Sequence, residues 1–428
     1  MTSIKKFFAA ALTAALIFTG CTSKTESSEP VATISAGENT LFKSGLLLVR
    51  KDRKYGYIDK SGNFAIEPRF EAAYDFDESG FAFVMEDLWG VIDTSGNYVI
   101  EPRFHLADDF MENGLAWINE DGKWGCIDRD LDIVIEPQFD NAMDFGRNGY
   151  AAVRLGKKWG YINESGTVVI EGKFEKPEAF YENGKAWVSE GNLWGCIDDK
   201  GNFVAEPRFL NVGNFGKNGL AAVMTETNLW GYMDENGSLA IKPQFQMANR
   251  FNDNGLACVK INDKWGFING QGNFVGEPIF DFAASFKENG LAEVSTDGKW
   301  GYIDQSAEFV IKPKFDCAYS FSENGFAAVQ KNGKWGCIDE SGKFVIRPKF
   351  KELYSFDRLG FAAIYKNGKY GFIDKNGKIT VKPTFDDYMG FYDDGFAVVS
   401  IDWKYGVINQ NGDYVLPPEY DYIGEMNF

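Results

Sequence analysis

Short apolar runs alternate with turn sequences along the chain from about residue 41 to its end. The clearest unit begins at Asn324 and reads NGFAAVQKNGKWGCIDESGKFVIRPKFKELYSF. Its apolar runs, residues 326–329 and 344–346, are bounded by Asn-Gly and Asp-x-x-Gly sequences, which favour tight turns. Runs of this length between turn signals are typical of β-strands joined as hairpins. The pattern predicts an all-β fold.

An aromatic residue followed by glycine recurs at intervals of 34 to 36 residues. A fixed period in this range indicates a repeat architecture, in which each unit buries its apolar faces against its neighbours. The spacing therefore predicts eleven consecutive β-meander units of about 35 residues, and their aromatic-Gly pairs begin at Tyr55, Trp89, Trp124, Trp159, Trp194, Trp230, Trp265, Trp300, Trp335, Tyr370 and Tyr405.

Each unit is predicted to contain three or four short antiparallel strands. A proline such as Pro348 follows the third run in ten units, where it either ends the strand or confines it to a sheet edge. The glycine after each aromatic residue is expected to admit a close neighbour or a bulge. In the second hairpin turn, Leu131 and Ala307 replace glycine, and these two turns are expected to close differently.

Two architectures fit these units. Because eleven units exceed the four to eight blades of typical closed propellers, we favour a propeller-like array that is open or superhelical. The alternative is a solenoid of stacked β-hairpins.

The N-terminal residues resemble a bacterial lipoprotein signal. Lys5 and Lys6 precede an apolar stretch at residues 7–18, and Thr19-Gly20 stands before Cys21. The resemblance implies cleavage before Cys21 and its modification with acyl chains such as palmitate. We predict a signal peptide at residues 1–20, a lipid-anchored flexible tether at 21–40 and the repeat domain at 41–428.

The formal net charge of −18, or −20 without residues 1–20, disfavours DNA, RNA and anionic lipid headgroups as partners. The predicted contact with a membrane is through the lipid anchor alone.

Residues with catalytic chemistry fall mostly in structural columns of the repeat. His105 is the one histidine of the chain, so His-paired metal sites are excluded. Cys126, Cys196 and Cys337 share a column with valine and phenylalanine, which is typical of core residues. The recurring aspartates, such as Asp339, occupy a turn column. We predict no catalytic residue, no metal site and no cofactor.

Two tryptophans depart from the repeat pattern. Trp117 and Trp187 replace small residues such as Ala152 and Ala222. Exposed indole rings stack on sugars and on protein partners, so these two are the predicted ligand-binding residues. Burial in the core is the alternative interpretation.

The recurring K-W-G-x-I-D-x-x-G followed by V-I-x-P-x-F resembles the bacterial WG-repeat (KWG-repeat) family across residues 41–428. That resemblance implies a binding or scaffold role and transfers no catalytic residue. We therefore expect an exported, membrane-anchored lipoprotein of the bacterial cell envelope that binds a protein or a polysaccharide without turning it over. The alternatives are a carbohydrate-active envelope enzyme and a purely structural spacer.

Overall fold

The computed structural model describes residues 40–424, which form eleven four-stranded antiparallel sheets. These sheets are arranged as an eleven-blade β-propeller, with one blade for each sequence repeat. The all-β, eleven-unit prediction is confirmed. Within residues 40–424, no helix is long and apolar enough to cross a membrane.

Blade 1 combines three N-terminal strands with the last strand of the chain, and every other blade is formed by four consecutive strands. The strands of blades 1 to 5 are β1 (Leu46–Lys51), β2 (Lys54–Asp59), β3 (Phe64–Phe70), β4 (Ala72–Ala73), β5 (Phe81–Met85), β6 (Trp89–Asp93), β7 (Tyr98–Phe104), β8 (Leu106–Ala107), β9 (Ala116–Glu120), β10 (Lys123–Ile127), β11 (Ile133–Phe139), β12 (Ala142–Phe145), β13 (Tyr150–Leu155), β14 (Lys158–Asn163), β15 (Val168–Phe174), β16 (Lys176–Pro177), β17 (Ala186–Glu190), β18 (Leu193–Ile197) and β19 (Phe203–Phe209).

Blades 6 to 11, and the strand that completes blade 1, follow in chain order. Their strands are β20 (Asn211–Phe215), β21 (Ala221–Met224), β22 (Trp230–Met233), β23 (Leu239–Phe245), β24 (Met247–Ala248), β25 (Ala257–Ile261), β26 (Lys264–Ile268), β27 (Phe274–Phe280), β28 (Phe282–Ala283), β29 (Ala292–Thr296), β30 (Lys299–Ile303), β31 (Phe309–Phe315), β32 (Cys317–Ala318), β33 (Phe326–Lys331), β34 (Lys334–Asp339), β35 (Phe344–Phe350), β36 (Glu352–Phe356), β37 (Phe361–Lys366), β38 (Lys369–Asp374), β39 (Ile379–Phe385), β40 (Asp387–Phe391), β41 (Phe396–Ile401), β42 (Lys404–Asn409), β43 (Tyr414–Tyr420) and β44 (Tyr422–Ile423).

The last strand closes the ring. β44 pairs antiparallel with β1, where Ile423 lies opposite Val49. An apolar core joins Val49 to Val398 of blade 11, and Asp394 Oδ2 accepts a hydrogen bond from the backbone N–H of Leu41 at 3.1 Å. The predicted open or superhelical array and its solenoid alternative are therefore corrected to a closed ring. Closure covers the apolar faces that the first and last units of an open array would expose.

The turn residues act as their sequence predicts. Asn332 and Gly333 both adopt positive φ, at 53° and 70°, as a two-residue hairpin loop requires. In the next turn, Asp339 Oδ1 accepts hydrogen bonds from the N–H groups of Ser341 and Lys343, each at 3.0 Å. Polar side chains and glycine thus satisfy the backbone where the chain reverses.

Leu131 and Ala307 close their turns in the same way as glycine does, contrary to the prediction. Each donates its backbone N–H to the backbone carbonyl oxygen of the aspartate three residues earlier, at 3.0 and 2.9 Å. Their φ angles are 68° and 61°, so both accept a left-handed conformation that is unfavourable for residues with a Cβ atom.

The glycine after the aromatic residue lies against a bulge in the neighbouring strand. A Cβ atom on Gly336 would lie 2.5 Å from Ile346 O and 2.7 Å from Pro348 N. The pairs Trp335–Phe350 and Cys337–Ile346 show that a step of two residues in β34 faces a step of four in β35. The third strand therefore continues past its proline as the edge strand of the sheet, which is one of the two predicted outcomes.

Candidate functional site

Trp117 and Trp187 lie in the core between blades. Their side chains are 2% and 0% exposed, and they stack on Phe145 and Phe215 at centroid distances of 5.5 and 5.6 Å. Trp187 also donates its indole N–H to Gly213 O at 3.1 Å. No ring face of either residue is accessible to an external ligand, so the prediction that they bind ligand is corrected. Cys21, the predicted lipidation site, lies outside the described residues.

The described cysteines and the histidine show no arrangement for nucleophilic catalysis. Cys126, Cys196 and Cys337 are buried, and burial raises the pKa of the Cys196 and Cys337 thiols to about 12. Such thiols are not thiolates at neutral pH. His105 is exposed at the junction between blades 2 and 3, and its backbone N–H donates to Asn119 O at 2.8 Å.

The aspartates of the turn column are occupied by their own turns. In Asp93, hydrogen bonding from the backbone of Asn97 is the main cause of a lowered pKa, so this carboxylate is ionised at neutral pH and unsuited to donate a proton. Within residues 40–424, no group of three or more His, Cys, Asp or Glu side chains is placed to hold a metal ion.

A second set of charges lies at two repeat positions, one in the second strand and one directly after the third strand. In seven repeats a lysine forms an ion pair with an acidic residue 17 positions later. Lys54 pairs with Glu71, and the six other pairs have N–O distances of 2.5 to 3.2 Å: Lys123–Asp140, Lys158–Glu175, Lys264–Asp281, Lys299–Asp316, Lys369–Asp386 and Lys404–Asp421.

In five of these seven pairs the acidic residue also binds the next blade. Asp386 Oδ2 accepts a hydrogen bond from the backbone N–H of Asp402 at 2.9 Å, and Glu175 Oε2 accepts one from Gly191 at 2.8 Å. Both donors lie in the first hairpin turn of the following blade. The carboxylate thus lies between a lysine of its own repeat and a turn of the next.

Blade 9 breaks this pattern. Lys334 keeps the cationic position, but the residue 17 positions later is Lys351. The following hairpin turn, Asn367-Gly368, therefore has no carboxylate of this column beside it. Two like charges occupy the place that an ion pair holds in seven other repeats.

Lys334 and Lys351 belong to a larger group of exposed cations on blades 9 and 10, which we name the basic groove. It consists of two adjoining depressions of about 620 and 410 Å³, and Lys334 lines both. No aspartate or glutamate lines either depression, and none of the groove's cations forms an ion pair within residues 40–424. The cations are Lys331, Lys334, Lys343 and Arg347 in the larger depression and Lys334, Lys349, Lys351 and Lys366 in the smaller one.

Aromatic rings lie among these cations. Phe344 lines the larger depression, and Phe350 and Tyr365 line the smaller one; all three are half-buried. Lys349 Nζ lies 5.0 Å from the centre of the Phe350 ring and donates to Gly377 O at 3.3 Å. The Lys349 ammonium is thereby held in place, whereas the other groove cations are free to reorient toward a ligand.

Arg347 belongs to a column of mixed charge. The column holds lysine in three other repeats, at Lys242, Lys312 and Lys382, and glutamate in six, at Glu67, Glu101, Glu136, Glu171, Glu206 and Glu277. The groove was not among the features predicted from the sequence. The 17-residue lysine–acid spacing, and its failure at Lys351, is the signal from which it could have been found.

Trp403 is the other surface feature that departs from the repeat. It is 89% exposed and adopts a φ of 64° in the hairpin turn of blade 11, at a position where blade 9 has Gly333. Its ring thus projects from a strained turn on a different blade from the basic groove.

Eleven segments of the chain match a family model described as "WG containing repeat": residues 55–87, 89–124, 124–159, 159–194, 194–226, 230–265, 265–300, 300–335, 335–370, 370–404 and 405–427. Among curated proteins, no sequence match is found.

The solved structures with a distant likeness to this chain include the following two. A crystal structure of the eukaryotic initiation factor aligns over 72% of this chain and 97% of its own, with 11% identity and a TM-score of 0.38. BamB from Moraxella catarrhalis aligns over 63% of this chain and 91% of its own, with 10% identity and a TM-score of 0.29. Scores this low carry no argument about function.

Proposed function

Because the chain belongs to the WG-repeat family and gathers unpaired cations in an open groove, we propose that it is a non-enzymatic binding scaffold of the bacterial cell envelope. The scaffold is anchored through acyl chains on Cys21. Its ligand is a protein or a polysaccharide of the envelope, and the contact surface is the basic groove.

The observation that carries this proposal is the replacement of a repeated ion pair by the like-charge pair Lys334 and Lys351. Elsewhere the column is neutralised within the chain, which leaves little charge for a partner. At blade 9 the cations face solvent in an open depression, without the paired carboxylates that glycoside hydrolysis uses. This composition suits recognition of an anion better than acid–base chemistry.

The anchor rests on the sequence of residues 1–21, and a β-propeller is compatible with display of a binding surface away from a membrane. Mass spectrometry of the mature N-terminus tests it. The expected species begins at an acylated Cys21, and a Cys21→Ser variant is expected to leave the membrane fraction. A Cys21→Ser protein that stays membrane-bound, and whose mass differs from the wild type only by the exchange of sulfur for oxygen, would refute the anchor.

The binding role is tested on arrays of envelope glycans and peptides with the full chain. Bound ligand is expected to be released unchanged. Hydrolysis of any ligand that is abolished by one Asp or Glu substitution would place the protein among enzymes and refute the scaffold proposal.

A further inference from the structure

We propose that the basic groove recognises an acidic glycan, and that one acid group of this glycan is held by Lys334, Lys351 and the Asn367-Gly368 turn. This inference rests on the proposed binding function and specifies its ligand.

In five other repeats a carboxylate of the chain binds the lysine and the next hairpin turn at once. Asp281 shows the arrangement: Oδ1 pairs with Lys264 Nζ at 2.5 Å, and Oδ2 accepts the backbone N–H of Asp297 at 2.8 Å. The lysine and the turn N–H thus form a two-point oxyanion site that the fold builds repeatedly. The same lysine is present in blade 9 and the same turn in blade 10, but residue 351 supplies a third donor group instead of the acceptor. A ligand oxyanion completes this set as the carboxylate does elsewhere.

A second anionic group fits the larger depression. Lys331, Lys343 and Arg347 line it, and Lys334 stands between this group and the smaller depression. Arginine can bind a carboxylate or a phosphate in bidentate fashion, and lysine provides a flexible point charge. The groove therefore matches a ligand with two or more acid groups separated by an uncharged spacer.

The aromatic rings point to sugars as that spacer. Phe350 and Tyr365 are half-buried among the cations of the smaller depression, beside exposed Ile379. Aromatic faces provide rigid apolar platforms of the kind on which sugar rings stack, while a tyrosine hydroxyl remains available for hydrogen bonding. Carboxylate or phosphate groups on a glycan would then reach the surrounding lysines.

The charge of the whole chain separates this ligand from nucleic acids. The formal charge of −18 opposes a dense polyanion, whose phosphates would extend beyond two blades onto acidic neighbours. A glycan with few, spaced acid groups can place all of them within the cationic groove. An acidic peptide satisfies the charge but makes no use of ring faces suited to sugars.

The test uses the full chain and isothermal titration calorimetry with defined probes at two salt concentrations. Oligogalacturonate provides carboxylates, an oligomer of glycosyl phosphate provides phosphates, and a neutral dextran oligomer provides sugars without charge. A poly-glutamate peptide and single-stranded DNA provide the competing classes. Tight binding to one of the two acidic glycans is expected, and which one binds identifies the acid group. The dextran oligomer, the poly-glutamate peptide and the DNA are expected to bind weakly or not at all.

The groove variant Arg347→Glu/Lys351→Asp restores residues that the repeat itself uses at these positions, so it is designed to fold. It is expected to weaken glycan binding about tenfold or more. Two cations that attract the acid groups of the glycan are replaced by carboxylates, which repel those groups or form ion pairs within the chain. The control Lys200→Glu/Lys242→Glu makes the same change in net charge on blades 5 and 6, and is expected to bind like the wild type. Circular dichroism verifies that both variants keep the wild-type fold.

The outcomes distinguish this inference from the proposed function. Preference for poly-glutamate, lost in the groove variant, refutes the glycan and retains the binding scaffold. Failure of both acidic glycans to bind also refutes the glycan. Equal binding of glycan by the groove variant and the wild type overturns the groove as the contact surface, and with it both proposals. Equal weakening in the control would show that net charge, and not the groove, governs binding.

Discussion

A comparison of Trp117 with Trp187 can measure how much one indole hydrogen bond in the core contributes to the stability of the fold. The two residues occupy the same column two repeats apart, and both stack nearly parallel on a phenylalanine, with interplanar angles of 9° and 12°. They differ at the nitrogen. Trp187 Nε1 donates to Gly213 O at 3.1 Å, whereas Trp117 Nε1 is buried with no hydrogen-bond partner within residues 40–424.

Replacement of each tryptophan by phenylalanine removes a similar volume, so the cavity contributions should nearly cancel between the two variants. Trp187→Phe also removes a hydrogen bond and leaves the half-buried Gly213 carbonyl without this donor, at a cost of about 1–2 kcal/mol. Trp117→Phe removes a donor whose burial is already unfavourable, which offsets part of the lost packing. We therefore expect Trp187→Phe to destabilise the fold by about 2 kcal/mol more than Trp117→Phe does.

Guanidinium titrations followed by far-ultraviolet circular dichroism measure both variants without reliance on the altered fluorophore. The comparison holds if the denaturant dependence m is unchanged, since a change in m would signal altered unfolding behaviour. Trp403→Phe, at an 89% exposed position, is the control and should leave the midpoint in place. Equal losses at Trp117 and Trp187 would refute the assigned difference in hydrogen bonding, and a Trp403→Phe loss as large as theirs would refute the burial assignment.

Trp403→Gly should raise the free energy of unfolding by up to about 1 kcal/mol, because glycine removes the strain at a φ of 64° and little buried surface is lost; a lower denaturation midpoint would contradict this. Burial raises the pKa of Glu293, which accepts a hydrogen bond from Ser320 at 2.6 Å, so its protonated form favours the folded state; that stabilisation is complete below the unfolded pKa and is lost as pH rises through the folded pKa. Glu293→Gln should therefore become progressively more stable than the wild type from pH 4 to pH 8 in thermal melts, and a constant difference would count against it. Ile423→Ala should cost about 2–4 kcal/mol, because Ile423 is buried in the closing strand; a loss of a few tenths would indicate a frayed end and an open ring.

Local features of the fold could be read from the sequence because each depends on a few adjacent residues. The hairpin at Asn332-Gly333, the turn at Asp339 and the close approach at Gly336 follow from backbone conformations that these residue types favour. Closure could not be read in this way. Whether Ile423 reaches Val49 depends on a small rotation accumulated over eleven repeats, and no single motif encodes it.

The functional site shows the same division. Trp117 and Trp187 stand out as large residues among small ones, yet their column also holds Cys258 and Phe83, which are buried in the structure. Size alone does not distinguish a ring that fills a wide part of the core from a ring that faces solvent. The basic groove depends on residues from two blades, so the sequence shows its charges but not that they share two depressions.

In every repeat but that of Lys334, the lysine and the acid of the 17-residue spacing are either both present or both absent. Where the lysine is absent, at Leu88, Leu193 and Leu229, the partner position holds His105, Leu210 and Gln246, and never an acid. Cation and anion are thus lost together, as expected if an unmatched charge at this position is unfavourable. Lys334 and Lys351 break this rule, since both are cations and both line the smaller depression. If an anion binds between them, its binding free energy is also a stabilisation of the ring. This departure from the repeat is what we expect if a ligand supplies the anion that the chain lacks here. A single surface ion pair contributes little to stability, but its regular recurrence makes its absence at blade 9 informative.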